Sequence, residues 1–195
     1  HKSAWEVVIK TREPALILED DAILSKTLPK LLVNLSDTKN ADLINLENRG
    51  RKKFVSNSHL DIGCNSKLLR LYQDRTGAAG YILWPSGAKK LIQFEKNSGI
   101  GLADAHITSC HALQAYQVEP SPIIQLDQCT DYGIKNRFTN IIFKSTVSSN
   151  QNRSGGIYFI IKRLLYQLKL ASRQLLILPI SKRRYISIRN SDFNV

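Results

Sequence analysis

The chain has 195 residues, of which 43% are hydrophobic, and a formal net charge of +12. This length and composition predict one sizeable folded domain and argue against a wholly disordered chain. No apolar run has the length of a membrane-spanning helix, and no signal-peptide pattern is present. The three cysteines form no Cys-x-x-Cys pair, which argues against a disulfide scaffold and indicates a reducing compartment such as the cytoplasm.

The positive charge is concentrated in the last third of the chain. Residues 133–195 contain 12 Lys and Arg residues and one acidic residue, Asp192. Residues 1–132 are almost balanced, with 16 basic and 15 acidic residues. This imbalance predicts an anionic partner, either a membrane surface or a nucleic acid.

Helices and strands are predicted to alternate along the first 126 residues. Such alternation favours an α/β domain with a mainly parallel sheet flanked by helices. The predicted elements, in chain order, are a helix ending near residue 10, a strand over 15–18, a helix over 27–35, a strand over 41–47, a loop over 49–53, a strand over 80–84, a helix from an N-cap at Ser86 through Phe94, a mostly helical segment over 102–116 and an extended segment over 118–126.

The C-terminal segment has the pattern of a basic amphipathic helix. Residues 147–156 are rich in Ser, Asn and Gly, which is typical of a linker, and apolar residues then recur on one helical face over 157–175. The alternative to membrane binding is that this face packs on the domain. We predict a domain over 1–132, a linker over 133–156 and a basic amphipathic segment over 157–195. The residues predicted to contact anionic lipid are Lys162, Arg163, Lys169 and Arg173.

Three consecutive carboxylates, Glu19, Asp20 and Asp21, follow the predicted strand over 15–18. In open α/β sheets, ligands bind at the carboxyl ends of the strands. Hard oxygen ligands at such a place suit Mn²⁺ or Mg²⁺, and a divalent cation would also offset the repulsion between the three charges. The alternative is a solvated acidic loop.

Other candidate residues lie further along the chain. The basic loop over 49–53 is either a solvated turn or a contact for phosphate groups. The glycines over 77–80 permit a tight entry into the next strand or bind a phosphate, although they lack a nucleotide-loop fingerprint. Asp104 opens a predicted helix and is a candidate N-cap or general base. His106 and Cys110 share a helix face, but no second Cys/His cluster completes a zinc site.

The ordered set of motifs resembles glycosyltransferase family 25. The resemblance covers about residues 1–126 and implies a GT-A-like, Rossmann-like α/β fold with a basic helical C-terminal extension. It also implies an N-terminally truncated chain, because members of the family have a further βα unit ahead of the first motif. The motifs that carry the resemblance are SAWE, PALILEDDA, ADLINLE, GYILWPSGAKKLI and ADAHI.

The resemblance implies a hexosyltransferase that moves galactose or glucose, with inversion, from a UDP-sugar to lipooligosaccharide or lipopolysaccharide core oligosaccharide. Glu19, Asp20 and Asp21 would hold Mn²⁺ or Mg²⁺ against the UDP diphosphate, with Asp21 as the first direct ligand and a catalytic residue. Asp104 would be the catalytic base or an acceptor contact. The residues expected to contact the donor or acceptor are Gly80, Tyr81, Arg51 and Lys52.

We expect a cytoplasmic protein, peripheral on the inner face of the bacterial inner membrane. Its expected partners are a UDP-hexose, a lipooligosaccharide acceptor and the anionic membrane surface. We expect no nucleic-acid partner, because no aromatic residues interleave with the basic loop and no nucleic-acid-binding motif is present. The alternatives are a degenerate, non-catalytic transferase fold that binds anionic membrane, and a metal-dependent phosphoryl-transfer or nucleic-acid protein.

Overall fold

A computed structural model describes residues 1–36, 38–99, 101–134 and 170–193, which form an α/β fold. The helices are α1 (Lys2–Thr11), α2 (Leu28–Leu35), α3 (Pro85–Ser98) and α4 (Ala103–Ser109), with further helical residues at 170–177 and short 3₁₀ helices at Leu126–Gln128, Leu178–Ile180 and Asn190–Asp192. The strands are β1 (Ala15–Leu18), β2 (Ala22–Leu24), β3 (Leu43–Asn45), β4 (Lys53–Asp61), β5 (Lys67–Gln73), β6 (Gly80–Leu83), β7 (Ala115–Glu119), β8 (Ile123–Gln125) and β9 (Ser181–Arg184).

The main sheet is mixed and mostly antiparallel. Its seven strands lie in the order β1-β6-β3-β7-β5-β4-β9. Among these described strands, β3 and β7 are a parallel pair and the other neighbours are antiparallel. Strands β2 and β8 form a separate antiparallel ribbon. The prediction of a mainly parallel sheet is therefore wrong.

The hairpin of β4 and β5 accounts for much of this difference. Its turn over 62–66 places Cys64 and Asn65 at positive φ, and the two strands then pair with antiparallel register. The outer half of β4 is exposed, and the polar run over 56–59 interrupts the alternation that marks a strand in sequence. The hairpin is therefore absent from the predicted elements, although β4 and β5 form three of the antiparallel pairs of the sheet, with each other, with β9 and with β7.

The other predicted elements of the body are confirmed, with three corrections. The loop predicted over 49–53 ends at Lys52, because Lys53 begins β4. Helix α3 begins at Pro85 with Trp84 as its N-cap, so Ser86 lies inside the first turn. The predicted helical segment over 102–116 is helical only as far as Ser109, and β7 begins at Ala115.

Each face of the main sheet packs against helices. Successive residues of β3 and β6 point to opposite faces, as strand geometry requires, so each strand contributes to two apolar clusters. One cluster joins the sheet to α1, α3 and α4, and includes Trp5, Val8, Leu43, Tyr81, Leu83, Leu91 and Ile107. The other joins the sheet to α2, and includes Leu28, Leu31, Leu35, Ile44, Ile82 and Val118.

Strands β1, β3 and β7 run in the same direction even though they are not all neighbours. Both β1 and β3 pair antiparallel with β6, and β3 pairs parallel with β7. Their carboxyl ends therefore lie at one edge of the sheet, together with the amino end of β6. The cross-strand pairs Leu18–Gly80 and Asn45–Tyr81 mark this edge.

The C-terminal residues return to the body of the fold. Strand β9 pairs with β4, and Ile186 and Phe193 are buried. The Arg184 guanidinium donates two hydrogen bonds of 2.5 Å to the Glu119 carboxylate at the end of β7. Within the described residues, no helix is both long and apolar enough to cross a bilayer.

Replacing Arg184 by Gln should lower the free energy of unfolding by about 1–2 kcal/mol, because Glu119 would lose a bidentate partner. Burial alone would raise the pKa of Glu119, but the Arg184 hydrogen bonds hold that pKa below its usual range. The stabilisation is therefore present above the pKa of the unfolded Glu119 and is lost as the pH falls through the pKa of the folded state.

Urea unfolding of the two proteins across the acidic pH range measures this effect. Arg183→Gln is the matched control, because the Arg183 side chain is 59% exposed and its Nε lies 3.8 Å from Asp74. An equal loss of stability in both variants, or a loss at Arg184 that does not diminish in acid, would contradict the assignment.

Candidate active site

The segment over 77–79 binds three carboxyl-bearing residues from different parts of the fold. The Ala79 amide donates to Oε2 of Glu47 (2.7 Å), and the Gly77 amide donates to Oδ1 of Asp104 (2.9 Å). The Glu19 amide donates to the Ala79 carbonyl (2.9 Å). We call Glu19, Glu47 and Asp104 the carboxylate cluster. It lies at the sheet edge where β1 and β3 end and β6 begins.

Gly77 is required by this arrangement. Its φ is +97°, and a Cβ at this position would lie 2.5 Å from Oε2 of Glu47. The amides of Gly77 and Ala79 are both occupied by carboxylates, so they are not open to a phosphate group. The structure therefore supports the interpretation of the glycines as a tight entry into β6.

Glu47 is the most deeply buried member of the cluster. It is 0% exposed, and its Oε1 has no hydrogen-bond partner in the part of the chain that the structure describes. Burial raises the pKa of Glu47 to about 7. The sequence analysis missed Glu47, although it follows the apolar run ADLINL in the way that Glu19 follows ALIL.

Lys53 is buried beside Glu47. Its Nζ donates to the Glu47 backbone carbonyl (3.1 Å) and to Oε1 of Gln117 (2.7 Å). Burial lowers the pKa of Lys53 to about 8, although the Glu47 charge opposes that shift. Lys53 is thus the first residue of β4 and not part of the solvated basic loop predicted over 49–53.

The three acids of the predicted metal motif have different surroundings. Glu19 bonds to Nε2 of His1 (2.9 Å) and accepts a longer bond from Gln125 (3.5 Å). Asp20 is exposed. Asp21 is half-buried, and its Oδ1 is shielded from solvent and has no hydrogen-bond partner within the described ranges. Burial, followed by the charges of Glu19 and Asp20, raises the pKa of Asp21.

The arrangement of the carboxylates meets only part of what a metal ion requires. Within the described residues, no three His, Cys, Asp or Glu side chains are placed to share one metal ion. The buried, unpartnered Oδ1 of Asp21 is the observation that fits a cation. Mg²⁺ in proteins is often bound by one or two carboxylates, with water and phosphate oxygens as the other ligands. The residues present are compatible with that sparse kind of coordination.

One arginine of the basic loop reaches the acidic edge. Arg49 donates to both oxygens of Asp127, at 2.7 and 3.0 Å. Burial alone would lower the pKa of Arg49, but the Asp127 bonds, and after them the charges of Asp127, Glu47 and Asp21, hold that pKa above its usual value. Arg51 and Lys52, the loop residues expected to contact the donor or acceptor, are exposed. Lys52 Nζ lies 5.3 Å from the centre of the Tyr185 ring.

The remaining candidate residues have structural contacts. The Tyr81 side chain is fully buried, and its hydroxyl bonds to Nε1 of Trp5 (2.8 Å) and Nδ1 of His1 (3.0 Å). Gly80 pairs with Leu18, and a Cβ there would collide with Ile123. Both residues shape the sheet edge, and their contact with a donor or acceptor stays a prediction.

Two further groups of candidate residues can be placed in part. Lys162, Arg163 and Lys169 lie outside the described residues. Arg173 lies within them and is half-buried, and its Nε has no hydrogen-bond partner among the described residues. His106 packs between Trp5 and Phe94 with Nε2 3.1 Å from the Leu91 carbonyl, which is the contact pattern of a core histidine.

Replacing Glu47 by Gln should make the stability of the protein less dependent on pH. The raised pKa of Glu47 means that the folded state binds the proton more tightly than the unfolded chain does. The Glu47 contribution is therefore full below the ordinary pKa of Glu and is lost as the pH rises through about 7. The variant should gain on the order of 3 kcal/mol relative to wild type between about pH 5 and about pH 8.

Urea unfolding at several pH values measures this difference. Glu13→Gln is the control, because Glu13 is exposed and should behave like wild type. A difference between Glu47→Gln and wild type that stays constant from acid to neutral pH would show that the pKa of Glu47 is the same in the folded and unfolded states.

A family model for glycosyltransferase family 25 (LPS biosynthesis protein) matches residues 1–107. The matched region runs from α1 into α4 and contains the whole carboxylate cluster together with Asp20 and Asp21. No curated protein sequence matches the chain. The family match covers more than half of the 195 residues. The chain belongs to glycosyltransferase family 25, a family of lipopolysaccharide biosynthesis proteins.

Proposed function

We propose that the protein transfers a hexose, galactose or glucose, from a UDP-sugar to a saccharide of lipooligosaccharide or the lipopolysaccharide core. The observation that carries this proposal is the gathering of Glu19, Asp21 and Asp104 near one sheet edge, within the region that the family model matches. Burial, followed by the charges of Asp104 and Asp20, raises the pKa of Glu19. A positively charged ligand at this edge would relieve that repulsion.

Asp21 is the proposed ligand for Mn²⁺ or Mg²⁺, with Glu19 and Asp20 as neighbouring charges. Its shielded and unpartnered Oδ1 is a hard oxygen donor, which is the type that these ions prefer. When bound, such an ion would neutralise charge that develops on the departing UDP. Arg49 would reinforce this effect from the same edge, and the exposed Arg51 and Lys52 extend the positive charge of its loop.

Asp104 is the proposed base. Its Oδ1 is held by the Gly77 amide, which fixes the carboxyl group and leaves Oδ2 to accept a proton. The base takes the proton of an acceptor hydroxyl as that oxygen bonds to the anomeric carbon of the donor. The bond from the anomeric carbon to the diphosphate oxygen breaks, and its electron pair leaves with UDP. Attack from the face opposite the leaving group inverts the anomeric configuration.

Replacing Asp21 by Asn should reduce metal-dependent transfer or hydrolysis of UDP-galactose or UDP-glucose by at least about 100-fold, because the amide removes the charge that would hold the ion. The measurement is release of UDP with and without Mn²⁺. Asp131→Asn is the matched control, because Asp131 is exposed and lies beyond the residues that the family model matches.

Two results would count against this proposal in different ways. Metal-dependent transfer that survives Asp21→Asn would show that the ion is held elsewhere. If wild type neither turns over any UDP-hexose nor binds UDP in a Mn²⁺ titration, the fold is a non-catalytic member of the family.

We also propose that the protein works at the cytoplasmic face of the inner membrane, where its C-terminal tail, residues 157–195, contacts anionic lipid. Several large apolar side chains of the described tail are exposed, and the basic residues Lys182 and Arg183 lie beside them. Apolar side chains flanked by positive charge suit a bilayer interface with anionic headgroups. The exposed side chains are Leu175 (68%), Leu176 (79%), Leu178 (54%), Ile180 (51%) and Tyr185 (60%).

Replacing Leu176 by Glu should weaken binding to vesicles of phosphatidylglycerol and phosphatidylcholine by at least about 10-fold, because it removes apolar contact and adds a repelled charge. Vesicle co-sedimentation measures the effect, and phosphatidylcholine vesicles test the need for anionic lipid. Val33→Glu on α2 is the matched control, since Val33 is 72% exposed on another element. Equal loss in both variants would place the membrane contact elsewhere.

A further inference from the structure

The backbone of Glu47 is held by hydrogen bonds on both sides of the residue. Its amide donates to Oδ1 of Asn45 (2.8 Å). Its carbonyl accepts hydrogen bonds from Nζ of Lys53 (3.1 Å) and from Nε2 of Gln117 (3.4 Å). All of these side chains are buried. The carboxyl group of Glu47 is therefore carried by a backbone with little freedom to move, and its oxygens have fixed positions.

The Glu47 and Asn45 side chains together fix the segment over 77–79. Oε2 of Glu47 accepts a hydrogen bond from the Ala79 amide (2.7 Å), and Nδ2 of Asn45 donates to the Gly77 carbonyl (3.3 Å). The carboxyl group also packs closely on Gly77, where a Cβ would lie 2.5 Å from Oε2. A shorter side chain at position 47 would thus release the Ala79 amide and leave a gap beside Gly77.

Asp104 lies at the other end of this series of contacts. The Gly77 amide donates to its Oδ1 (2.9 Å), and Asp104 belongs to the first turn of α4. The buried side chains of His106 and Ile107 hold the rest of this seven-residue helix against the core. The helix can therefore stay in place while the direction of the Asp104 carboxyl group depends on where the Gly77 amide lies.

We propose that Glu47 is a positioning residue for Asp104 and acts through Ala79 and Gly77. This inference rests on the proposed role of Asp104 as the base. Glu47 is fully buried, so it does not contact a donor or an acceptor itself. A base has to lie within hydrogen-bond reach of the proton that it removes, and a displacement of about 1 Å can lower a rate by about 100-fold. Glu47 supplies an oxygen in a fixed place, and its charge is not required.

Two substitutions of Glu47 in the full chain separate position from charge. Glu47→Gln removes the charge and keeps an oxygen at the same reach for the Ala79 amide. Glu47→Asp keeps the charge but shortens the side chain by one C–C bond, about 1.5 Å, which breaks the hydrogen bond to that amide.

The kinetics of UDP-hexose transfer should follow the reach of the side chain. We expect kcat to fall by at least about 10-fold in Glu47→Asp and to stay within about threefold of wild type in Glu47→Gln. The KM for the donor should stay within about twofold of wild type in both variants, because the base acts in the transition state. The reverse order of the two variants would overturn the proposal, since it would show that the charge is what matters.

A double-mutant cycle with Asp104 tests the route of the effect. Asp104→Asn alone should lower kcat by at least about 100-fold. Glu47→Asp should then lower it further by less than about twofold, because no base is left to position. A further loss of about 10-fold in the Asp104→Asn background would overturn the proposal, since Glu47 would then act by another route.

The acidic motif is the alternative route, because the Ala79 carbonyl accepts a hydrogen bond from the Glu19 amide (2.9 Å). The Mn²⁺ concentration that gives half of the maximal rate reports on that motif. It should stay within about twofold of wild type in Glu47→Asp. A larger shift, together with an additive cycle, would assign the effect of Glu47 to the acidic motif and overturn its assignment to Asp104.

Glu119→Asp is the matched control. Glu119 is also buried, and its Oε1 also accepts a backbone hydrogen bond, from the Ser187 amide (2.9 Å). The same shortening therefore breaks an equivalent bond in another part of the fold. This variant should have a lower thermal unfolding midpoint and a kcat within about twofold of wild type. A loss of kcat equal to that of Glu47→Asp would show that turnover follows general stability, and would overturn the proposal.

Amide hydrogen exchange gives a readout that needs no turnover. The amides of Gly77 and Ala79 should exchange at least about 10-fold faster in Glu47→Asp than in wild type, and at close to the wild-type rate in Glu47→Gln and Glu119→Asp. Unchanged exchange in Glu47→Asp would overturn the inference whatever the kinetics show. If wild type transfers no hexose, the proposed function fails, and exchange at Gly77 alone decides whether Glu47 positions the contact of Asp104.

Discussion

The segment over 77–79 leads into β6 at the sheet edge, and its backbone amides need hydrogen-bond acceptors there. Carboxylate oxygens supply these acceptors. Glu47 takes the Ala79 amide and Asp104 takes the Gly77 amide. The Ala79 carbonyl in turn fixes the backbone of Glu19. The same contacts that close the core therefore set the positions of three acids, and the close approach of Glu47 requires glycine at position 77. Stability and the geometry of the site depend on one short piece of backbone.

Most elements of the body were predictable from sequence because their periodicity is clear, but the β4–β5 hairpin and the direction of the strands were not. Alternating helices and strands predicted a parallel sheet, whereas β6 runs antiparallel between β1 and β3. Local periodicity contains no information on that direction. Even so, β1, β3 and β7 share a direction, so the expectation that their carboxyl ends form the site is compatible with the mixed sheet.

The acidic residues of the candidate site were predictable where they stand out from an apolar run or at the start of a helix. Charged residues with buried side chains were not predictable. Glu19 to Asp21 stand out after ALIL, and Asp104 stands out at the start of a helix. Lys53 ends a basic run that resembles a solvated loop, yet its ammonium group is buried between Gln117 and the Glu47 backbone. The buried Arg75 is similarly inconspicuous in sequence. Such residues are recognised only when the packing of distant elements is known.

The strong positive charge of residues 133–195 is not one uniform surface. Arg184 is committed to Glu119, and Arg189 bonds to Asp192 and to carbonyls of the β4–β5 turn. Lys182 and Arg183 remain exposed. The described part of residues 133–195 thus divides its charge between ion pairs that attach it to the body and basic residues that are exposed. The net charge of these residues therefore overstates the number of cations that they can offer to an anionic surface.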